Sequence, residues 1–211
     1  MTGRKRGFDL ELALSAATQV FWQNGYAGTS LADLTVAMGI NKPSLYACFG
    51  NKEALFIKAL DYYKQRIVAP AFEPLWSESG SSKQKLHQCL CAFAGILTLP
   101  EKPAGCFVST CTAESCSLAM PKQAQQALQQ AGLQSQSMLL QFFEQEIAEG
   151  RLAISCQPKD LVEYTLTFIH GMAVQAKAGK DQQALARLAD MILALSLLDA
   201  PSQGNKENAS A

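Results

Sequence analysis

The residues best suited to chemistry in this 211-residue chain are its seven cysteines and two histidines. Cys106 stands out by position. Pro103 and Gly105 place it in the first turn of a helix read at 105–118, where unpaired N–H groups and the helix dipole favour a thiolate. An accessible thiolate there is a nucleophile toward quinones, aldehydes or hypochlorite. Its oxidation to sulfenic acid leads on to a bond with Cys111, Cys116 or a lysine, and Lys177 is the lysine nominated. Cys111 lies ~140° around that helix from Cys106, and Cys116 about 80°, so the three thiols share no single face. The competing reading is that Cys106 is an inert, small buried residue where two helices pack.

A second constellation is His87, Cys89 and Cys91. Only His87 and Cys91, four apart, share a helical face. With Cys106 they sketch a thiolate-rich site of the kind soft metals choose, but no CxxC pair or histidine cluster supports it, and no metal is assigned. His170 sits among Phe168, Ile169 and Met172 and reads as a satisfied core or interface residue. Both histidines are mid-helix, and no nucleophile–base–orienter set or phosphate-cradling glycine loop is present. An enzyme is not expected, and no cofactor is implied. Phe142 and Phe143, with Met138 and Leu139, read either as the lining of an apolar inducer pocket or as core.

The elements that must position these residues are helices. The chain is 48% hydrophobic and 17% charged, which is globular composition. Glycines and prolines fall between runs of helical periodicity, no stretch reads as a strand, and the fold expected is all-α. The first helix spans about 8–24, with Leu10, Leu14, Ala17 and Phe21 on one face and Gly25 as its stop. Ser30, answered by Asp33, caps a short second helix that ends at Met38 before Gly39. Asn41 caps a third, with Pro43 in its first turn, and Asn51 caps a fourth that runs to about Val68 before Pro70 and Pro74 bend or break it. Ser77–Ser82 is the clearest loop. Further helices are read at about 83–98, 105–118, 122–149, 158–178 and 181–198, with a polar, disordered tail over 201–211.

Two short helices about a glycine-containing turn form the pattern of a DNA-reading helix-turn-helix. The stretch Phe21-Trp-Gln-Asn-Gly-Tyr26-Ala-Gly-Thr29-Ser30-Leu31-Ala-Asp33-Leu34 carries a resemblance together with Gly39-Ile-Asn-Lys42-Pro43-Ser44-Leu45-Tyr46 and Phe49-Gly-Asn-Lys52-Glu-Ala-Leu55. It resembles the TetR family of bacterial repressors over about fifty residues with unbroken spacing. The resemblance implies a homodimer of about nine helices, with an N-terminal three-helix domain (1–52) that reads double-stranded DNA. A larger domain (53–200) would bind a small inducer and dimerise. By the family pattern Thr29, Ser30 and Tyr46 meet phosphates, Lys42, Pro43 and Ser44 sit at the mouth of the major groove, and Lys52 pins the backbone. Arg4, Lys5 and Arg6 are free to reach backbone or minor groove. Ala47 and Cys48 replace larger residues common in the family, so base readout leans on Lys42 and on an apolar contact from Ala47 to a thymine methyl. More locally, Gly105-Cys106-Phe107-Val108 with Ala113-Glu114 resembles the subfamily of the N-ethylmaleimide reductase repressor.

Charge agrees with this division. The net charge is zero, which alone speaks against a nucleic-acid partner. Residues 1–70, however, carry +3 and the remainder −3, so the neutrality is a cancellation between a basic head and an acidic body. No apolar run reaches the ~18 residues of a membrane span, and no secretory leader is read, which places the protein in the cytoplasm. An odd number of cysteines in that reducing compartment argues against a disulfide framework. The last two helices, rich in Gly171, Ala173, Ala176, Leu185, Leu188, Ile192 and Leu195, suit a four-helix dimer interface. The function expected is a repressor released from a pseudo-palindromic operator by a small apolar or electrophilic inducer, or by modification of a sensor thiol. The alternative is a thiol-redox or metal-responsive sensor on the same fold.

Overall fold

The computed structural model describes residues 9–114, 120–154 and 156–191. Arg4, Lys5, Arg6, Cys116, Ile192, Leu195 and the tail over 201–211 lie outside them. The described residues are helical and contain no strand.

The first three helices are α1 (Leu10–Asn24), α2 (Leu31–Met38) and α3 (Lys42–Phe49). Each begins at the side chain that satisfies its orphan N–H groups. Asp9 Oδ1 accepts from the N–H of Glu11 at 2.8 Å and so starts α1, a cap missed by the expected start at about 8, two residues earlier. Ser30 and Asp33 form a reciprocal capping box at the head of α2. Asn41 Oδ1 accepts from Ser44 N–H at 2.9 Å to start α3. Gly39 ends α2 in the left-handed region (φ 63°, ψ 29°), which a Cβ disfavours. The buried face of α1 is Ala13, Ala17, Thr18, Phe21 and Trp22. Leu10 and Leu14 pack only at its edge, so the apolar stripe is rotated from the one predicted.

Asn51 caps α4 (Lys52–Tyr63). Beyond Tyr63 the chain does not break at its prolines. It passes through a π-helical turn (Lys64–Val68), α5 (Ala69–Phe72) and a 3-10 turn (Glu73–Trp76). A proline ring collides with the carbonyl four residues back and offers no N–H. The wider turn before Pro70 relieves this, and Ala69 N–H bonds to the Lys64 carbonyl five residues back. The bend is therefore a change of helical register.

The body follows as α6 (Ser82–Leu97), α7 (Phe107–Thr112), α8 (Lys122–Ala148), α9 (Pro158–Lys177) and α10 (Gln182–Asp190). With the segment from Lys52 to Trp76 taken as one bent rod, the described residues hold nine. The helix read at 105–118 is six residues long within the described chain, and Cys106 is its N-cap.

Two buried clusters hold the molecule together. One gathers α5, α6, α8, α9 and α10 around Phe72, Leu90, Leu139, Phe142 and Phe143. The other joins Phe21, Trp22, Leu34, Leu45 and Phe56 of the first four helices to Phe107 and Cys111 of α7 and Leu128 of α8. The helix that opens just after residue 52 buries Leu55, Phe56, Ala59 and Leu60 in this second cluster. Expected division between head and body at that point thus runs through shared core.

A buried polar knot closes the end of the body formed by α6 and α8. Glu146 accepts from Ser82 Oγ (2.7 Å), Lys85 Nζ (3.0 Å) and Arg151 (2.7 and 2.9 Å), and it is only 2% exposed. The Arg151 hydrogen bonds, helped by Ser82 and Lys85, hold its carboxyl down from the ordinary 4.5 to about 2. A carboxyl depressed in the folded state adds stability above its unfolded pKa and loses it as the pH falls toward the folded one. Thermal melts should show stability declining between about pH 4.5 and pH 2, and a Glu146→Gln variant should lose that part of the pH dependence.

Candidate DNA-reading head and thiol cleft

The head presents α3 to solvent along one edge. Lys42, Pro43, Tyr46 and Ala47 are exposed, whereas Ser44 is half-buried. Tyr46, 50% exposed, is presented rather than packed. Leu45 and Phe49, on the opposite edge, are buried against the other helices. Ser30 is exposed, but its Oγ is engaged by the Asp33 N–H at 3.1 Å. Lys52 stands with its ammonium 4.2 Å from the Tyr26 ring centroid, a cation–π contact. Burial lowers its pKa, against the pull of Glu114 and Asp33 toward the charged form.

Thr29 is a correction. It was expected to present its hydroxyl to a phosphate, yet it is 2% exposed and donates to the Gly25 carbonyl at 2.6 Å. The physical reason is Gly25. Its backbone (φ 72°, ψ −178°) lies outside the left-handed well expected of a helix stop, in a region essentially restricted to glycine. That turn aims its carbonyl inward, and Thr29 satisfies it.

The cysteines separate by burial. Cys89 and Cys111 are fully buried. Burial raises the Cys89 thiol well above its ordinary range and pushes Cys111 up to about 12, so both are inert small hydrophobes. Cys111, one of the three partners named for an oxidised Cys106, is thus a buried thiol held in its protonated form. Cys106 is half-buried, with its Sγ 3.5 Å from the Tyr63 hydroxyl. It opens into a cleft of about 200 Å³ lined by Ser109, Thr110, Ala173, Val174 and Lys177. Lys177 Nζ donates to Thr110 Oγ1 at 3.3 Å across this cleft. The cysteine and the nominated lysine, 71 positions apart in the chain, therefore share one wall-to-wall space. Ser109, which sequence reasoning missed, contributes a buried Oγ without a hydrogen-bond partner. Nothing in helical periodicity marks such a hydroxyl.

The other candidates fall elsewhere. Phe142 and Phe143 are each 1% exposed and packed in the body core, so they do not line an open inducer pocket. His87 and Cys91 do share a face, with Nε2 and Sγ 3.5 Å apart, and Asp190 of α10 meets the same nitrogen at 2.8 Å. Cys106 packs on Tyr63 instead of joining them. Among the described residues no group of three such side chains is placed to hold a metal ion. His170 is exposed rather than enclosed in the core expected for it, and local desolvation lowers its pKa.

Such an assembly, a capped helix-turn-helix fused to a helical body, is that of a DNA-binding regulator. Residues 13–59 match the model for bacterial regulatory proteins of the tetR family, and residues 82–192 match the tetracyclin repressor-like C-terminal domain. The HTH-type transcriptional repressor ComR of Escherichia coli (strain K12) is 36% identical over 197 residues, covering 92% of this chain and 91% of ComR. A cysteine mutant of the TetR family regulator CifR, solved with 26-base-pair operator DNA, superposes with a TM-score of 0.80 at 32% identity, over 91% of this chain and 98% of that one. Reduced NemR of E. coli gives a TM-score of 0.77 at 19% identity over 91% and 97% of the two chains, which shows the shared fold. The chain belongs to the TetR family. It is a TetR-type transcriptional repressor, a DNA-binding regulator and not an enzyme. Among the described residues no helix is long and apolar enough to cross a membrane.

The inward hydroxyl of Thr29 makes a specific expectation. Thr29→Val should lower thermal stability by about 1 kcal/mol through the lost buried hydrogen bond. The slope of log affinity for DNA against log salt should stay unchanged, because no phosphate contact is removed.

Proposed function

We propose that this repressor acts in the cytoplasm as a homodimer on a pseudo-palindromic operator and is released when a small electrophile adds to Cys106. The observation that carries the thiol reading is the placing of Cys106 and Lys177 on one cleft. For an activated alkene, the Cys106 sulfur bonds to the β-carbon and the C=C π bond opens. The thiol proton ends on the α-carbon, and no oxidant is needed. The Lys177 ammonium is positioned to stabilise negative charge that develops on a carbonyl oxygen during the addition. Such an adduct occupies the cleft between α7 and α9, so it favours a different arrangement of those two helices. Release follows to the extent that the modified protein prefers the DNA-incompetent spacing.

Dimerisation is supported by α9. Tyr164, Gly171 and Val174 lie along one face of α9, where Tyr164 (47%) and Val174 (64%) are large hydrophobic side chains left exposed among the described residues. Val174 also borders the cleft, which links the sensor to that face. On the DNA side, Lys42, Pro43, Tyr46 and Ala47 on α3, with Ser30, Ser44 and Lys52 beside them, form the reading edge. Arg4, Lys5 and Arg6 supply further basic contacts. Two heads of a dimer must meet major-groove faces about 34–36 Å apart, so a modest change of spacing prevents simultaneous contact.

With N-ethylmaleimide as the probe, wild-type protein should lose operator binding in a gel-shift assay and gain one adduct at Cys106 by mass spectrometry. Cys106→Ser should keep its DNA bound. Equal release of the variant would overturn the thiol reading and leave a non-covalent inducer in its place. For the head, Lys42→Ala should weaken binding and relax sequence preference, as expected on removing a base contact. A salt slope reduced by about 1 with the preference unchanged would instead assign Lys42 to a phosphate.

A further inference from the structure

The segment that links the cleft to the head is pinned to α1 at one end and to the turn after α1 at the other. At the first end, the buried Trp22 indole donates its Nε1–H to the Gly105 carbonyl at 3.1 Å. Gly105 itself has φ +87°, and a Cβ there would lie 3.0 Å from the Ala173 carbonyl oxygen of α9. Head and dimer-face helix thus meet at one glycine. In between, Phe107 of α7 sits edge-on to Phe56 and Tyr63, with centroids 5.6 and 5.5 Å apart. At the second end, the Glu114 carboxylate accepts from the Ala27 N–H at 3.1 Å.

That second contact is unusual in its fit. The carboxylate fills the space beside Gly25 so closely that a Cβ built there would collide with it. The same turn aims Gly25 toward Thr29 and sets where α2 begins. Lys52, standing over Tyr26 at this turn, adds electrostatic attraction for Glu114. The body therefore reaches one backbone amide of the head with a charged acceptor, nine residues from the Gly105 pin.

We propose that Glu114 is the positioning residue that holds the reading head at the angle to the body which lets two heads engage one operator. This rests on the dimer reading above. Without the latch, the head keeps its own core, since Leu34, Leu45, Phe49 and Leu55 do not depend on Glu114. Its angle, however, is then set by the shared core around Phe107, by α4 and by the Trp22 pin, without a hold on the turn before α2. The effect therefore falls on binding that needs both heads and spares binding that needs one.

The test uses full-length protein and two duplexes: the palindromic site it selects from a random DNA pool, and the same duplex with one half scrambled. Affinities are read by fluorescence anisotropy. Glu114→Ala is expected to weaken binding to the full site by on the order of tenfold, the loss of one charge-assisted hydrogen bond. Its affinity for the half-scrambled duplex stays at the wild-type value. Glu114→Asp, which keeps the charge but shortens the reach, should behave the same way and guards against a folding failure of the alanine variant. Glu114→Gln, whose amide oxygen still accepts from Ala27, should restore most of the full-site affinity. Two results would overturn the latch alone: variants that keep the wild-type preference for the full site, and variants that weaken both duplexes equally. Wild-type protein that binds both duplexes equally well would overturn the two-head reading and the latch with it.

Discussion

The structure depends on an aromatic cluster that belongs to neither half of the protein. Trp22 packs on Tyr63 (4.9 Å between centroids), Tyr63 on Phe107, Phe107 on Phe56, and Phe56 on Phe21 and Tyr26. All five contacts are edge-to-face, the geometry in which ring quadrupoles attract. Three of these residues come from α1 and the turn that follows it, two from α4 and one from α7. Close-packed interiors transmit displacement because they contain little free volume to absorb it. A head built this way cannot tilt on the body without moving α7, and α7 begins at Cys106.

Polar groups inside the molecule follow the same rule: each is buried only where a partner is fixed. Thr18 donates to the Leu14 carbonyl at 2.8 Å, with Ala59 close by. Trp22 has Gly105, Thr29 has Gly25, and Glu146 has four donors. Ser109 Oγ, at the cleft beside Cys106, is the unsatisfied exception among the described residues. A hydrogen bond left unmade is costly in a dry interior, so such groups are rare in native structures. The cleft combines a half-buried thiol, a lysine and that hydroxyl, whereas the other thiols of the core are shielded by apolar packing.

Local signals were legible wherever the cause lies within one turn of the chain. The caps at Ser30, Asn41 and Asn51 and the left-handed Gly39 need only neighbours three or four residues away, and each is found as read. Readings that depended on distant partners fared differently. Phe142 and Phe143 have the same composition whether they line a pocket or fill a core, and packing against α5, α6 and α9 decides for the core. Cys106 and Cys111 are indistinguishable as letters. One faces a cleft and the other is sealed by the aromatic cluster.

By itself the sequence determined an all-helical regulator with a helix-turn-helix at its head, because capping residues, apolar periodicity and an unbroken fifty-residue pattern are local properties. It also placed the basic charge at the head, which zero net charge had concealed. Only the tertiary structure decided that Thr29 turns inward, that Lys177 faces Cys106, and that Glu114 and Gly105 reach the head from 87 and 83 residues away. The physical reason is that a contact across such a separation leaves no periodic trace in the chain. It comes into being when close packing brings the two surfaces together.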